Sequence, residues 1–220
     1  MAAFYVTGTD TGAGKSVASA ALLHALRRGG ATAVGMKPVA SGCEATPEGL
    51  RNEDALALIA ASDPRPDYGL VNPWALPEPT APQIAAALAG VRVTLPSIVA
   101  AYARLATMAE HVVVEGVGGW LAPLADDLEQ ADLVRALDLP VILVVGLRLG
   151  CLSHARLTAR AVEADGCRLV GWIGSRIDPG FDALSYQPLL DRALSVPCLG
   201  ELPHSPGAEP ALLSRHLALP

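Results

Sequence analysis

Lysine is almost absent from this 220-residue chain. Of its 16 basic residues only Lys15 and Lys37 are lysine, and the rest are arginine. Arginine can replace lysine at most solvated positions, so the two retained amines mark places where a compact ammonium is a candidate requirement. Drift toward arginine with two chance survivors is the alternative. Basic charge as a whole is also short. Acidic residues number 22 and the net charge is -6, which disfavours a protein that coats nucleic acid through a basic face. The four cysteines, Cys43, Cys151, Cys167 and Cys198, form no CxxC pair. Neither a disulfide framework nor zinc-ribbon spacing is encoded, and reduced thiols fit a cytoplasmic protein. No apolar run approaches the ~18 residues that span a bilayer. The N-terminal residues lack a basic segment followed by a long apolar one and read as a strand rather than a secretion signal.

What is present is a large supply of core. Apolar residues make up 51% of the chain, and the length suits one α/β domain spanning 1–220. Strand-like runs at Phe4–Thr7, Ala33–Val39, His111–Glu115, Val141–Val145, Leu169–Ile173 and Cys198–Leu202 alternate with helix-like ones. Helical periodicity is read over Ser16–Arg28, Glu53–Ala61, Ile84–Ala89 and Ser97–Met108, and residues 62–82 read as a long Pro-rich loop. Continuous rather than alternating apolar strands predict a mostly parallel sheet with helices on both faces. Ligands of such sheets bind beyond the carboxyl ends of the strands. The unusual residues of this chain fall there, at 8–16, 37–42, 115–119 and 146–154.

Residues 8–16, Gly-Thr-Asp-Thr-Gly-Ala-Gly-Lys-Ser, follow a strand and open a helix. Such a loop offers backbone N–H groups and a positive helix end to phosphate, Lys15 to the β- and γ-phosphates, and the Ser16 hydroxyl to Mg²⁺. Its glycine spacing is one residue longer than the usual Gly-x4-Gly-Lys-Ser/Thr, and a Gly-rich tight turn is the bland alternative. Glu115 ends a strand, where phosphate-loop enzymes place an acid near the metal; capping of the next segment is the other reading. Gly116, Gly118 and Gly119 allow close backbone approach to a ligand. Asp54 is either a further metal acid or a helix N-cap. Lys37 ends the second strand facing the same crevice, placed to stabilise an anion on a second substrate, unless it only offsets surface acids. Trp74, Trp120 and Trp172 read as core or loop anchors, with Trp120 the best exception because it adjoins Gly118 and Gly119. No histidine shows ligand spacing.

Taken together, GTDTGAGKS (8–16), KPVASG (37–42), TPEGLRNEDALAL (46–58), EGVGGWLAPL (115–124), LPVILVVGLRLGC (139–151) and GELP (200–203) resemble the dethiobiotin synthetase family in order and spacing. The resemblance implies a phosphate-loop NTPase-like fold and a homodimer. It implies a cyclo-ligase that joins CO₂ to 7,8-diaminononanoate with MgATP in biotin synthesis. It implies a nucleotide lying along Thr11, Gly12, Ala13, Gly14, Lys15, Ser16 and Val17. Glu115, Gly116, Val117 and Gly118 would lie alongside, and the base near Ser175, Arg176, Pro203, His204, Ser205 and Pro206. Metal would bind Ser16, Asp54 and Glu115. Lys37 and Lys15 would be catalytic, and substrate would meet Ser41 and Gly118, with Gly150, Cys151 and Leu152 supplied by the partner subunit.

Three positions depart from the family. Gly12 stands where many relatives have Glu, Ser175 where an Asn commonly reads the base, and Leu152-Ser153 where an Asn often follows. A hydroxyl makes fewer directional bonds to adenine than an amide. A partitioning or carrier-type switch ATPase shares the loop–strand–acid layout. It usually carries a second lysine early in the loop, which Thr9, Asp10 and Thr11 do not supply. A related amidotransferase-type ligase would need an appended glutaminase domain, for which the chain is too short.

Overall fold

The computed structural model describes residues 2–219. The chain runs β1 (Ala2–Gly8), α1 (Lys15–Leu26), β2 (Ala33–Met36), β3 (Val39–Ala40), β4 (Glu44–Thr46), β5 (Gly49–Arg51) and α2 (Glu53–Ala61). It continues through α3 (Tyr68–Val71), β6 (Trp74–Ala75), α4 (Pro82–Leu88), α5 (Leu95–Ala106), β7 (His111–Gly119), α6 (Gln130–Leu137) and β8 (Val141–Gly146). The last elements are α7 (Cys151–Ala164), β9 (Leu169–Ser175), α8 (Ala183–Leu194), β10 (Cys198–Leu202) and α9 (Pro210–Leu213).

Six of the strands form one parallel sheet in the order β10-β9-β8-β1-β7-β2. Alternate residues of each strand enter opposite layers, as the period of two demands. Tyr5, Val112, Val114, Val141, Leu143 and Val145 join one core layer, with residues of α5 to α8. Phe4, Val6, Val113, Ile142 and Val144 join the other, with α1, α2 and α9. The expected two-faced parallel sheet is therefore observed. After β1 the chain builds outward to β2 and β7, then returns past β1 to lay down β8 to β10. The carboxyl end of β1 is thus the switch point at which an open α/β sheet forms its crevice.

Several local expectations change. The strand read as Ala33–Val39 is two: β2 stops at Met36 and β3 pairs with β6 in a separate small sheet. Pro38 between them has no N–H for the main ladder. The 62–82 loop holds α3 and β6. Helices α6, α7 and α8 were not marked in the sequence, because their buried faces are narrow or built of small residues, such as Cys151, Ala155 and Ala159 in α7. The tryptophans are anchors as read. Trp172 is in the core, Trp74 Nε1 donates to Ser97, and Trp120 packs edge-on to Tyr5 with its Nε1 donating to Asp165 at 2.7 Å. Among the described residues, no helix is long and apolar enough to cross a membrane.

Candidate active site

The loop between β1 and α1 follows from its glycines. Gly12 (φ 78°) and Gly14 (φ 91°) hold left-handed backbone, which residues with a Cβ adopt at a cost of about 1–2 kcal/mol. Gly14 is the N-cap of α1 and no side chain caps that helix end, which leaves its first N–H groups available to an anion. Thr9 N–H donates to the Val144 carbonyl at 3.0 Å, tying the loop to β8. The stem of Lys15 passes so close to Gly8 that a Cβ there would lie 2.9 Å from its Cγ. Lys15 Nζ donates to the Asp10 carbonyl at 2.9 Å. Burial, and after it the Lys37 ammonium, push the Lys15 amine down to about 8. The Asp10 carboxylate in turn accepts from Arg148, in the loop after β8.

The acids meet on the β7 side. Met36 of β2 pairs with Val114 of β7, so Lys37 follows at the level of Glu115. Lys37 is 3% exposed and Glu115 is fully buried. Lys37 Nζ donates to Glu115 Oε1 at 2.6 Å, to Asp54 Oδ2 at 2.9 Å and to the Gly116 carbonyl at 3.1 Å. Ser16 Oγ lies 2.6 Å from Asp54 Oδ1 and 2.9 Å from Glu115 Oε1. Burial opposes the Lys37 charge, but Glu115 and Asp54 outweigh it and the ammonium is held above its ordinary pKa. Burial likewise opposes the Asp54 carboxylate, and Lys37 and Ser16 overcome it and hold the acid below its usual range. Asn52, not Asp54, caps α2, accepting from Ala55 N–H. Asp54 is therefore left free to face the cleft.

Two carboxylates and a hydroxyl are hard oxygen donors of the kind that bind Mg²⁺ together with substrate phosphates. One atom of the set points the same way: Glu115 Oε2 is buried and has no hydrogen-bond partner. The residues fit a divalent cation.

A cleft of about 760 Å³ opens over this cluster, lined by Thr11, Gly12, Lys15, Ser16, Lys37, Ser41, Asp54 and Gly118 among others, with the Pro79–Pro82 segment as its far wall. The structure thus brings Thr11, Gly12, Gly14, Lys15, Ser16, Val17, Lys37, Ser41, Asp54, Val117 and Gly118 together around one space, whereas Ala13 is fully buried and does not line it. Ser175 and Arg176 lie on the other side of the loop. The Ser175 hydroxyl abuts Gly14 so closely that a Cβ on Gly14 would overlap it. Arg176 pairs with Glu201, and its carbonyl is 3.0 Å from His204 Nδ1, which joins the Pro203–Pro206 loop to the same corner. Gly150, Cys151 and Leu152 do not line the cleft of their own chain. Leu152 borders a separate hollow of about 450 Å³ with Arg156, Arg160 and Arg192.

Sequence reading missed the supports. Gln130, fully buried in α6, shares the two N–H donors of its Nε2 among the carbonyls of Val117, Gly119, Trp120 and Ala122, and its Oε1 accepts from Tyr5 at 2.6 Å. A Cβ on Gly116 would run into this pair, only 2.7 Å from the Tyr5 oxygen. The run 116–119 is therefore shaped from behind by residues with no local motif.

The AAA domain family matches residues 2–211. In three-dimensional shape the chain is similar to MinD in the MinC:MinD cell division protein complex of Aquifex aeolicus (TM-score 0.58, 14% identity, 99% of this chain and 87% of that one). It is equally similar to a ParA family ATPase of Chlorobium tepidum TLS (TM-score 0.59, 14% identity, 98% and 90%). These likenesses show a phosphate-loop NTPase fold. Sequence relatives lie nearer. The chain is 61% identical over 219 residues to the ATP-dependent dethiobiotin synthetase BioD of Xanthomonas euvesicatoria pv. vesicatoria, covering 99% of this chain and 98% of that protein. It is 57% identical to that of Xylella fastidiosa, covering 99% and 97%. The fold, the loop and this full-length identity lead to one assignment: the chain belongs to the ATP-dependent dethiobiotin synthetase family.

Proposed function

We propose that residues 1–220 form a single ligase domain that joins CO₂ to 7,8-diaminononanoate with ATP and closes the ureido ring to give dethiobiotin, ADP and phosphate. The observation that carries this reading is one juxtaposition: Lys37 Nζ and Ser16 Oγ both contact Asp54 and Glu115, at the mouth of an anion-binding loop. An ammonium lies between the place for phosphates and an open cleft able to hold a small second substrate. In the proposed sequence one substrate amine adds to CO₂ and loses a proton, leaving a carbamate. A carbamate oxygen attacks the γ-phosphorus as the bond to ADP breaks. The second amine attacks the carbonyl carbon, expels phosphate, loses its proton and closes the ring.

No protein nucleophile is required, so the work of the chain is placement and charge. Thr11 through Val17 and the α1 end would hold the phosphates, with Lys15 turning from the Asp10 carbonyl to their oxygens. Lys37 would face carbamate and transferring phosphoryl together. Ser16, Asp54 and Glu115 would hold Mg²⁺, which when bound neutralises β- and γ-phosphate charge. Gly116, Val117 and Gly118 would follow the nucleotide, and Ser41 and Gly118 the diamine. Ser175, Arg176, Pro203, His204, Ser205 and Pro206 would flank the base. Gly150, Cys151 and Leu152 of a second copy would complete the cleft in a cytoplasmic homodimer that takes no nucleic acid or membrane partner. Phosphate release that requires both the diamine and bicarbonate supports this reading. ATP hydrolysis indifferent to the diamine would instead favour the switch ATPase, which has fold likeness behind it but no second loop lysine.

A further inference from the structure

A hydrogen-bonded chain behind the cleft has no part in the chemistry above. It runs through the segment 51–74, most of which reads in sequence as loop. The Tyr68 hydroxyl accepts from the Asn52 N–H at 2.8 Å and donates to Asn72 Oδ1 at 2.9 Å. Asn72, 3% exposed, donates through Nδ2 to the Lys37 carbonyl at 2.7 Å and to the Trp74 carbonyl at 3.4 Å. Asn52 starts the helix that carries Asp54 in its first turn. One phenol therefore touches the backbone that launches Asp54 and, through a single amide, the backbone that bears Lys37.

The Lys37 N–H is taken by the Val71 carbonyl at 2.8 Å, so the end of α3 and its C-cap Asn72 hold both backbone polar groups of Lys37. The reason is local. Ladder pairing of β2 with β7 ends at Met36, and Pro38 offers no N–H, so the main sheet does not fix Lys37. Asp54 sits on a different element, the half-buried first turn of α2. Reacting groups must hold within about 0.5 Å of their working geometry. Burial keeps the Tyr68 phenol above its ordinary pKa, so it stays a donor at neutral pH.

We propose that Tyr68 and Asn72 are positioning residues that set the separation of Lys37 from Asp54. This rests on the reading of Lys37 and Asp54 as working groups. Tyr68→Phe keeps the ring and the Arg51 guanidinium stacked 4.3 Å over it, and removes only the two hydrogen bonds. Partners of this kind typically change activity by about 10- to 100-fold. The expected result is a kcat loss in that range, with KM for ATP and for the diamine within about threefold of wild type and the thermal midpoint lower by about 2–4 °C, because the buried Asn72 amide oxygen loses its donor.

A cycle with Asp54→Asn separates placement from general loosening. Once the carboxylate is gone, Tyr68→Phe should cause a smaller loss than it does alone, because only the hold on Lys37 remains to be lost, whereas independent effects multiply. Arg51→Ala gives the control, since it releases the ring without breaking the chain, and its kcat should stay near wild type. Wild-type kcat in Tyr68→Phe, multiplying losses, or an Arg51→Ala loss as large as that of Tyr68→Phe would each overturn the proposal. Wild-type turnover in Asp54→Asn would bring down the underlying site reading as well, a result distinct from a silent Tyr68→Phe beside a crippled Asp54→Asn.

Discussion

On the Lys37 side of the phosphate loop, side chains are held by charged hydrogen bonds beside an open space. Lys37 Nζ and Ser16 Oγ each contact both Asp54 and Glu115 at 2.6 to 2.9 Å, and Lys37, Ser16 and Asp54 line a cleft of about 760 Å³. On the Ser175 side they are held by contact. The Ser175 hydroxyl is pressed on Gly14, and Ile177 reaches both Gly14 and Gly146. The two lysines share the contrast: Lys37 is locked by two anions, while Lys15 leans on a neutral carbonyl. Substitutions on the first side should therefore act through charge placement at unchanged volume. On the second side they should act through volume at unchanged charge.

The largest effect expected is that of Lys37→Arg. It keeps the charge and changes its shape, because a planar guanidinium cannot occupy a pocket measured for one nitrogen. If Lys37 stabilises the transferring group, turnover should fall by about 10²–10³-fold, the usual loss when one electrostatic donor is misplaced. Circular dichroism should show the fold intact. Turnover within a few-fold of wild type would remove Lys37 from the mechanism and turn the first side into scaffolding.

Next in size is Glu115→Gln, which keeps volume and removes charge. Lys37 then keeps only the half-exposed Asp54 as a counter-ion. Breaking a buried pair in this way destabilises by about 3 kcal/mol, read from the midpoint of urea unfolding. A shift below about 1 kcal/mol would mean that the cluster is hydrated enough for charge not to be what holds it together.

The first side was the more legible in sequence. Lys37 directly follows β2, Glu115 lies within β7, and Lys15 and Ser16 open the helix after the glycine loop that follows β1, so locating the strands and the loop located them. Asp54 needed the structure, because the string Asn52-Glu53-Asp54 does not say which residue caps the helix. Asn52 takes that role. The parallel sheet was legible from continuous apolar strands, since both faces of each are buried. Gln130, Tyr68 and Asn72 were not, because their partners are set by packing between distant elements and no local spacing encodes it. The closeness of Ser175 to Gly14 likewise depends on β8 lying between β9 and β1, a matter of sheet order. Helix α7 escaped notice because alanine and cysteine, rather than large residues, form its buried face.

Two glycines of one loop test the contrast at closest range. Both hold left-handed backbone, so a Cβ strains either by about 1–2 kcal/mol. They differ in what that Cβ would meet. At Gly14 it meets the Ser175 hydroxyl; at Gly12 nothing lies within 4 Å. Gly14→Ala should add overpacking to strain and destabilise by about 3 kcal/mol in urea unfolding, with ATP affinity falling as the loop is displaced. Gly12→Ala should show the strain alone, about 1 kcal/mol. Its ATP affinity, read by calorimetry, should fall less than that of Gly14→Ala, because no neighbouring side chain forces the loop to move. Equal losses at the two positions would mean that backbone conformation governs the whole loop, and that the tight packing against Ser175 contributes nothing of its own.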